Sequence, residues 1–176
     1  MYIKLLNEAI LEQQGKTPEI TPECLIDIRI DAFIPEKYIS NQAQRVDCYR
    51  KIAMIENEDD AYDVTDELID RYGDIPRAVE GLIEVAKLRR KAQKLHLTEI
   101  IQSGDSMLFY PENTEKKTME RVSAVGGKYG KAMMLVLATD KPNFRINGVD
   151  KLGGPLGLLS DVLEAMQSVD REKAGE

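Results

Sequence analysis

Residues 76–95 are the stretch that most constrains how this chain can fold. At helical spacing Val79, Leu82, Ile83 and Ala86 line one side, while Val85, Leu88, Ala92 and Leu95 line another. A helix apolar on two sides cannot lie on a surface, so it is expected to be central and contacted on both faces. Pro76 suits its first turn, where a backbone N–H has no intrahelical partner anyway. Two helices lead up to it. Ser40 can cap the first, which runs to about Ile55 with Cys48, Ile52 and Ile55 inward and Tyr49 beside them. Asp59 or Asp60 opens the second, with Ala61, Val64, Thr65, Leu68 and Tyr72 inward. Gly73 then stands where a left-handed C-cap is favoured.

Around this helical layer the pattern changes period. Leu25 and Asp27 alternate with Ile26, Ile28, Ile30 and Ala32, which predicts a strand buried on one face and stopped by Pro35. Residues 97–102 and 107–110 predict a hairpin around Ser103-Gly104-Asp105. Residues 114–125 read as a short helix closed by Gly126-Gly127. Residues 132–138 read as an apolar strand with 143–146 returning beside it. Leu158, Leu159, Val162, Leu163 and Met166 predict a closing amphipathic helix. The fold class is therefore α+β: an N-terminal strand and a helical layer, a small mostly antiparallel sheet and a C-terminal helix.

The ends read differently. Residues 2–14 carry a strong apolar stripe (Tyr2, Leu5, Leu6, Ala9, Ile10) with no capping residue before it. That predicts a helix, assigned to 1–15, continuing a longer protein. Residues 16–23 form a polar double-proline linker. The remainder is assigned as a domain over 24–170 and a frayed tail over 171–176.

Composition narrows the function classes. There are 24 Lys plus Arg against 31 Asp plus Glu, a net charge of -7, which argues against a stand-alone nucleic-acid binder. No apolar run approaches a membrane span and no signal pattern opens the chain. Cys24 and Cys48 are isolated, which fits neither a zinc site nor a disulfide framework and points to a reducing cytoplasm. His96 is the single histidine, and no carboxylates pair as acid and base. No catalytic, cofactor or metal residue is assigned.

The charge is uneven. Between Glu56 and Asp74 nine acids face one base, Arg71, so this segment carries -8 and the rest of the chain nets +1. Asp63, Glu67 and Asp70 fall at i, i+4, i+7 on one helix face. A solvated face is the plain reading. Like charges at this spacing nevertheless cost helix stability, and an arginine-bearing partner would relieve them. A carboxylate metal site is a third reading, for which no converging ligands are identifiable. Lys87, Arg89, Arg90, Lys91 and Lys94 form a basic cluster that could touch phosphates, or simply complement the negative end of its helix dipole. Gly126-Gly127-Lys128-Tyr129-Gly130-Lys131-Ala132 lacks the glycine spacing and the Ser or Thr of a phosphate loop, and reads as a turn.

Four segments carry a resemblance. Phe33-Ile34-Pro35-Glu36-Lys37-Tyr38-Ile39 precedes Gln44-Arg45-Val46-Asp47-Cys48-Tyr49-Arg50-Lys51-Ile52-Ala53. Glu67-Leu68-Ile69-Asp70-Arg71-Tyr72-Gly73-Asp74-Ile75-Pro76 follows, then Leu88-Arg89-Arg90-Lys91-Ala92. This order resembles the C-terminal domain of bacterial transcription-repair coupling factors, over residues 2 to about 97. The first helix looks like the end of that family's translocase module. The resemblance implies a parent protein that translocates on double-stranded DNA with ATP and Mg, displaces stalled RNA polymerase and recruits nucleotide excision repair by binding UvrA. It implies that this domain is not the motor. It would instead pack on a UvrB-like module of the same polypeptide and mask the UvrA-binding surface. In the family the acids of an E-L-x-D-R-[YF]-G motif meet arginines of that module, which carries over to Glu67 and Asp70. Arg71, Asp63 and Asp74 complete the candidate partner-binding set. The alternative is a nucleic-acid contact domain using residues 87–94.

Overall fold

The extended segment after Cys24 pairs with the sheet for only three residues in the computed structural model, which describes residues 24–174. The expected helix over 1–15 and linker over 16–23 lie outside the described residues. Strand β1 (Leu25–Asp27) runs parallel to β2 (Leu97–Ser103), with Ile26 opposite Ile100. Beyond Asp27 the backbone leaves the ladder: the Arg29 N–H donates to the Gln102 side chain at 2.7 Å. The alternation of half-buried Ile28, Ile30 and Ala32 with exposed Arg29, Asp31 and Phe33 nonetheless persists to the buried Ile34. The apolar period thus extends well past the hydrogen-bonded strand.

The described residues divide into two compact units, one over 30–90 and the other over 24–29 with 91–174. The first holds helices α1 (Gln42–Ala53) and α2 (Glu58–Tyr72) and most of α3 (Arg77–Lys94). Its core gathers Ile34, Ile39, Cys48, Ile52, Ile55, Leu68, Val79 and Leu82. Both apolar sides of α3 are buried, with Val79 and Ala86 at 0%, Val85 at 5%, Leu88 at 3% and Ala92 at 0% exposure, as its two-sided pattern requires. Burial, followed by the charge of Asp47, pushes the Cys48 thiol up, so it packs as a neutral apolar group.

Helix ends depart from expectation in instructive ways. Asn41, not Ser40, caps α1 by accepting from the Gln44 N–H at 3.0 Å. Asn57 caps α2 by accepting from the Asp60 N–H at 2.8 Å, and Asp60 in turn accepts from the Glu56 N–H. Gly73 has φ 88° and ψ -163°, which is not the left-handed helical region but the mirror-extended region open essentially to glycine alone.

In the second unit the strand order is β1-β2-β3-β5-β4, with β3 at Ser106–Pro111, β4 at Met133–Val136 and β5 at Asn143–Asn147. Only β1–β2 is parallel; the other three pairings are antiparallel. One row crosses all five strands: Ile26, Ile100, Phe109, Phe144 and Leu135. The Phe109 and Phe144 rings stack at 4.8 Å, and both are fully buried. Helices α4 (Lys116–Tyr129) and α5 (Gly154–Ala174) pack together and bury Val122, Val125, Leu158, Leu159, Val162, Leu163 and Met166. Two boundaries differ from expectation. Helix α4 runs through Gly126-Gly127 and stops at Gly130, whose φ is 53°. Helix α5 continues to Ala174 beyond the expected tail boundary, and Lys173 pairs with Glu120 of α4. Edge strand β4 leaves Met134 and Leu135 exposed.

Candidate functional site

The segment that carries the acids is held from behind by aromatic and basic side chains. Tyr38 donates its hydroxyl proton toward the carbonyls of Leu68 (3.2 Å) and Gly73 (2.8 Å), the second of which lies past the last acceptor used by the helix ladder of α2. Its ring lies 5.8 Å from that of Tyr72. Tyr49 accepts from the Ile34 N–H at 2.8 Å, and Arg45 donates to the carbonyls of Ile39 and Ser40. Residues 33–53 thus form a brace that fixes the rotation of α2. Leu68 at 3% exposure and Ala61 at 5% set which face points inward.

The outward face is then determined. Asp59, Asp63, Asp66 and Asp70 follow one another at i, i+4, i+7, i+11 and are all exposed. Among the described residues no cation lies within ion-pair distance of Asp63, Asp66 or Asp70. Tyr62 at 67% and Ile69 at 43% exposure form an apolar ridge along one border of this stripe. Glu67 lies on the other border and behaves differently. It accepts from Lys51 of α1 at 2.7 Å and lies 3.7 Å from Arg71. Arg71 also sits over the Tyr72 ring, its guanidinium carbon 5.2 Å from the ring centre. Asp74 lies past Gly73, off the helix.

The structure therefore brings Asp63, Glu67, Asp70 and Arg71 to one side of α2, as their spacing requires, and places Asp74 beside rather than on that stripe. What the sequence spacing missed is the neutralisation across helices. Lys51 is separated from Glu67 by sixteen residues, and Lys87 reaches Glu58 at 3.0 Å from α3. Burial lowers the Lys87 proton affinity, but hydrogen bonds to Glu84 and Glu58 outweigh it and leave the pKa raised. The only available signal was that Lys51 and Lys87 each lie in a helix bordering the acidic one.

The basic cluster is drawn partly inward. Arg89 is 4% exposed and donates toward the Ala53 carbonyl at 3.4 Å; Arg90 donates to the Ile55 carbonyl at 3.2 Å. These two arginines close the C-terminal end of α1 rather than facing a phosphate backbone, and Lys87 is committed to two glutamates. Lys94 alone of the five is exposed. His96 takes a positive φ of 61° where α3 passes into β2, and its Nδ1 lies 3.0 Å from the Glu112 carboxylate. The Gly126-Gly127 stretch is helical, so it offers no phosphate loop. Among the described residues no three His, Cys, Asp or Glu side chains converge as a metal site. Nor is any helix among them long and apolar enough to cross a membrane.

The TRCF domain model matches residues 28–122. A transcription-repair-coupling factor of Staphylococcus haemolyticus is 31% identical over 139 residues, covering 77% of this chain and 12% of that protein. The corresponding protein of Bacillus subtilis is 30% identical over 138 residues, again 77% and 12%. The chain thus spans about an eighth of the length of these curated relatives, the share being 12% in both. A crystal structure of a C-terminal domain of transcription-repair coupling factor shares the fold, with a TM-score of 0.65 at 22% identity over 86% of this chain and 96% of that one.

Proposed function

The chain belongs to the TRCF domain family, as a segment of a transcription-repair coupling factor, and from that premise we propose that α2 is one half of an intramolecular clamp. The segment is a non-catalytic, autoinhibitory interaction domain. It packs on a UvrB-like module of the same polypeptide and masks the surface that binds UvrA. The motor lies elsewhere in the longer protein, a double-stranded DNA translocase that uses ATP and Mg and acts on stalled RNA polymerase.

The observation that carries this reading is the charge imbalance left after internal pairing. Lys51 and Lys87 attend to Glu67 and Glu58, yet Asp63, Asp66 and Asp70 stay exposed on one stripe. Such a stripe is self-repelling until a cationic partner arrives. Arginines suit it, because a guanidinium fork can bind one carboxylate with two hydrogen bonds. A handful of such bonds at a partly solvated interface hold moderately and open readily, as a clamp requires. The inward turn of Arg89 and Arg90 weighs against the nucleic-acid alternative.

The test is Glu67→Arg with Asp70→Arg in the full-length protein. UvrA binding should rise. Unchanged UvrA binding by a variant that still folds would remove the clamp.

A further inference from the structure

A groove of about 560 Å³ lies between the end of α2 and the first turns of α3. Its walls include three isoleucines, Ile69, Ile75 and Ile83, and three carboxylates, Asp74, Glu80 and Glu84. Glu80, Ile83 and Glu84 share one face of α3 by their i, i+3, i+4 spacing, and Ile69 brings the ridge of α2 to the opposite wall. Glu84 already pairs with Lys87 at 3.0 Å. No cation lies within ion-pair distance of Asp74 or Glu80 among the described residues.

We propose that this groove docks an arginine of a partner segment together with a neighbouring apolar side chain, the guanidinium lying between Asp74 and Glu80. This deepens the clamp reading and rests on it for the partner's setting, since it assigns a second cationic contact beside the Asp63–Asp70 stripe. Three features select the occupant. Two unmatched carboxylates over an apolar wall call for a cation on a long apolar stem, which arginine and lysine have and compact cations lack. Two separate acceptors favour the planar fork of arginine over a point charge. The volume exceeds several times the roughly 150 Å³ of a cavity that holds one benzene, so a single side chain would leave the groove part-filled. A flanking leucine or similar residue against Ile69 and Ile75 completes it.

The probe is a capped pentapeptide, Ala-Leu-Arg-Leu-Ala, titrated into the 176-residue chain and followed through its backbone amide resonances. Saturable shifts are expected at Ile69, Ile75 and Ile83. Affinity should fall about fivefold in the Asp74→Asn/Glu80→Gln double variant, the equivalent of losing one partly exposed ion pair. It should hold in Glu67→Gln/Asp70→Asn. Absence of saturation, equal affinity for the same peptide with norleucine replacing arginine, or shifts that depend on Glu67 and Asp70 instead would each overturn the groove assignment. Failure of the clamp looks different: the groove would still bind the peptide, while charge reversal at Glu67 and Asp70 would leave UvrA binding unchanged.

Discussion

The Lys51 ammonium donates to Glu67 at 2.7 Å and lies 3.3 Å from Asp47, so α1 holds the first acid of the E-L-x-D-R motif in place before any partner arrives. The hydrogen bond to Glu67 is the main reason the Lys51 pKa is raised. A lysine pKa raised by folding stabilises fully below its unfolded value and loses that contribution as pH climbs through the raised one. Both side chains are more than a third exposed, which keeps the pair below about 1 kcal/mol. Lys51→Met should therefore lower the melting temperature slightly and by a constant amount across neutral pH. The difference from the parent protein should shrink above about pH 10. A gap that widened in that range would contradict the pairing. In the full-length protein the same variant frees Glu67 for the partner and should reduce UvrA binding.

Leu68 and Asp70 stand two positions apart and should respond oppositely. Leu68 is 3% exposed, and Leu68→Ala should cost about 2–5 kcal/mol in urea unfolding. Asp70→Ala changes an exposed position and should stay within about 0.5 kcal/mol. Only Asp70→Ala can then be read as an interface variant; a matching stability loss there would show that its effect runs through folding.

Arg121 is 3% exposed and binds Asp170 with two hydrogen bonds, at 2.9 and 3.3 Å, across α4 and α5. Its third arm reaches the Leu95 carbonyl at 3.4 Å. Asp170→Ala leaves a buried cation without its carboxylate and should cost about 3 kcal/mol or more. Arg121→Met leaves only a half-exposed carboxylate and should cost less. Chemical denaturation of both variants checks this order.

Gly73→Ala meets no steric obstacle, since nothing lies within 4 Å of the added carbon. The loss should come from the backbone alone, about 1–3 kcal/mol for a non-glycine residue in that region. Gly127→Ala, in open space inside α4, should instead stabilise by about 1 kcal/mol. Thermal melting of the pair separates the two roles of glycine.

The helical layer was legible because Val79 to Leu95 can satisfy two apolar stripes only by being buried. The hairpin over 97–111 was legible because Gly104, at φ 61°, announces its turn. Boundaries were less legible where one residue type serves two ends: Gly126-Gly127 reads as a stop but is spanned, Gly126 coming close to Met133 of the next strand. At the site, periodicity gave the stripe of Asp63 and Asp70. It could not give Lys51 on Glu67 or Tyr38 on the end of α2, because those contacts link residues 16 and 35 positions apart. The inward turn of Arg89 was hidden for the same reason: its acceptor carbonyl lies 36 positions away.

The three-residue ladder of β1 carries a kinetic consequence. In sequence the whole of 30–90 separates Leu25 from its partner Glu99. Closing so long a loop is entropically slow, and the reward is a short parallel pairing. The hairpin of β2 and β3 closes locally and needs no such search. β1 should thus be the last strand to dock and the first to let go. In pulse-labelling the Phe109 amide should gain protection well before that of Ile26, so that the chain assembles its sheet from the middle outward and seals the N-terminal edge at the end.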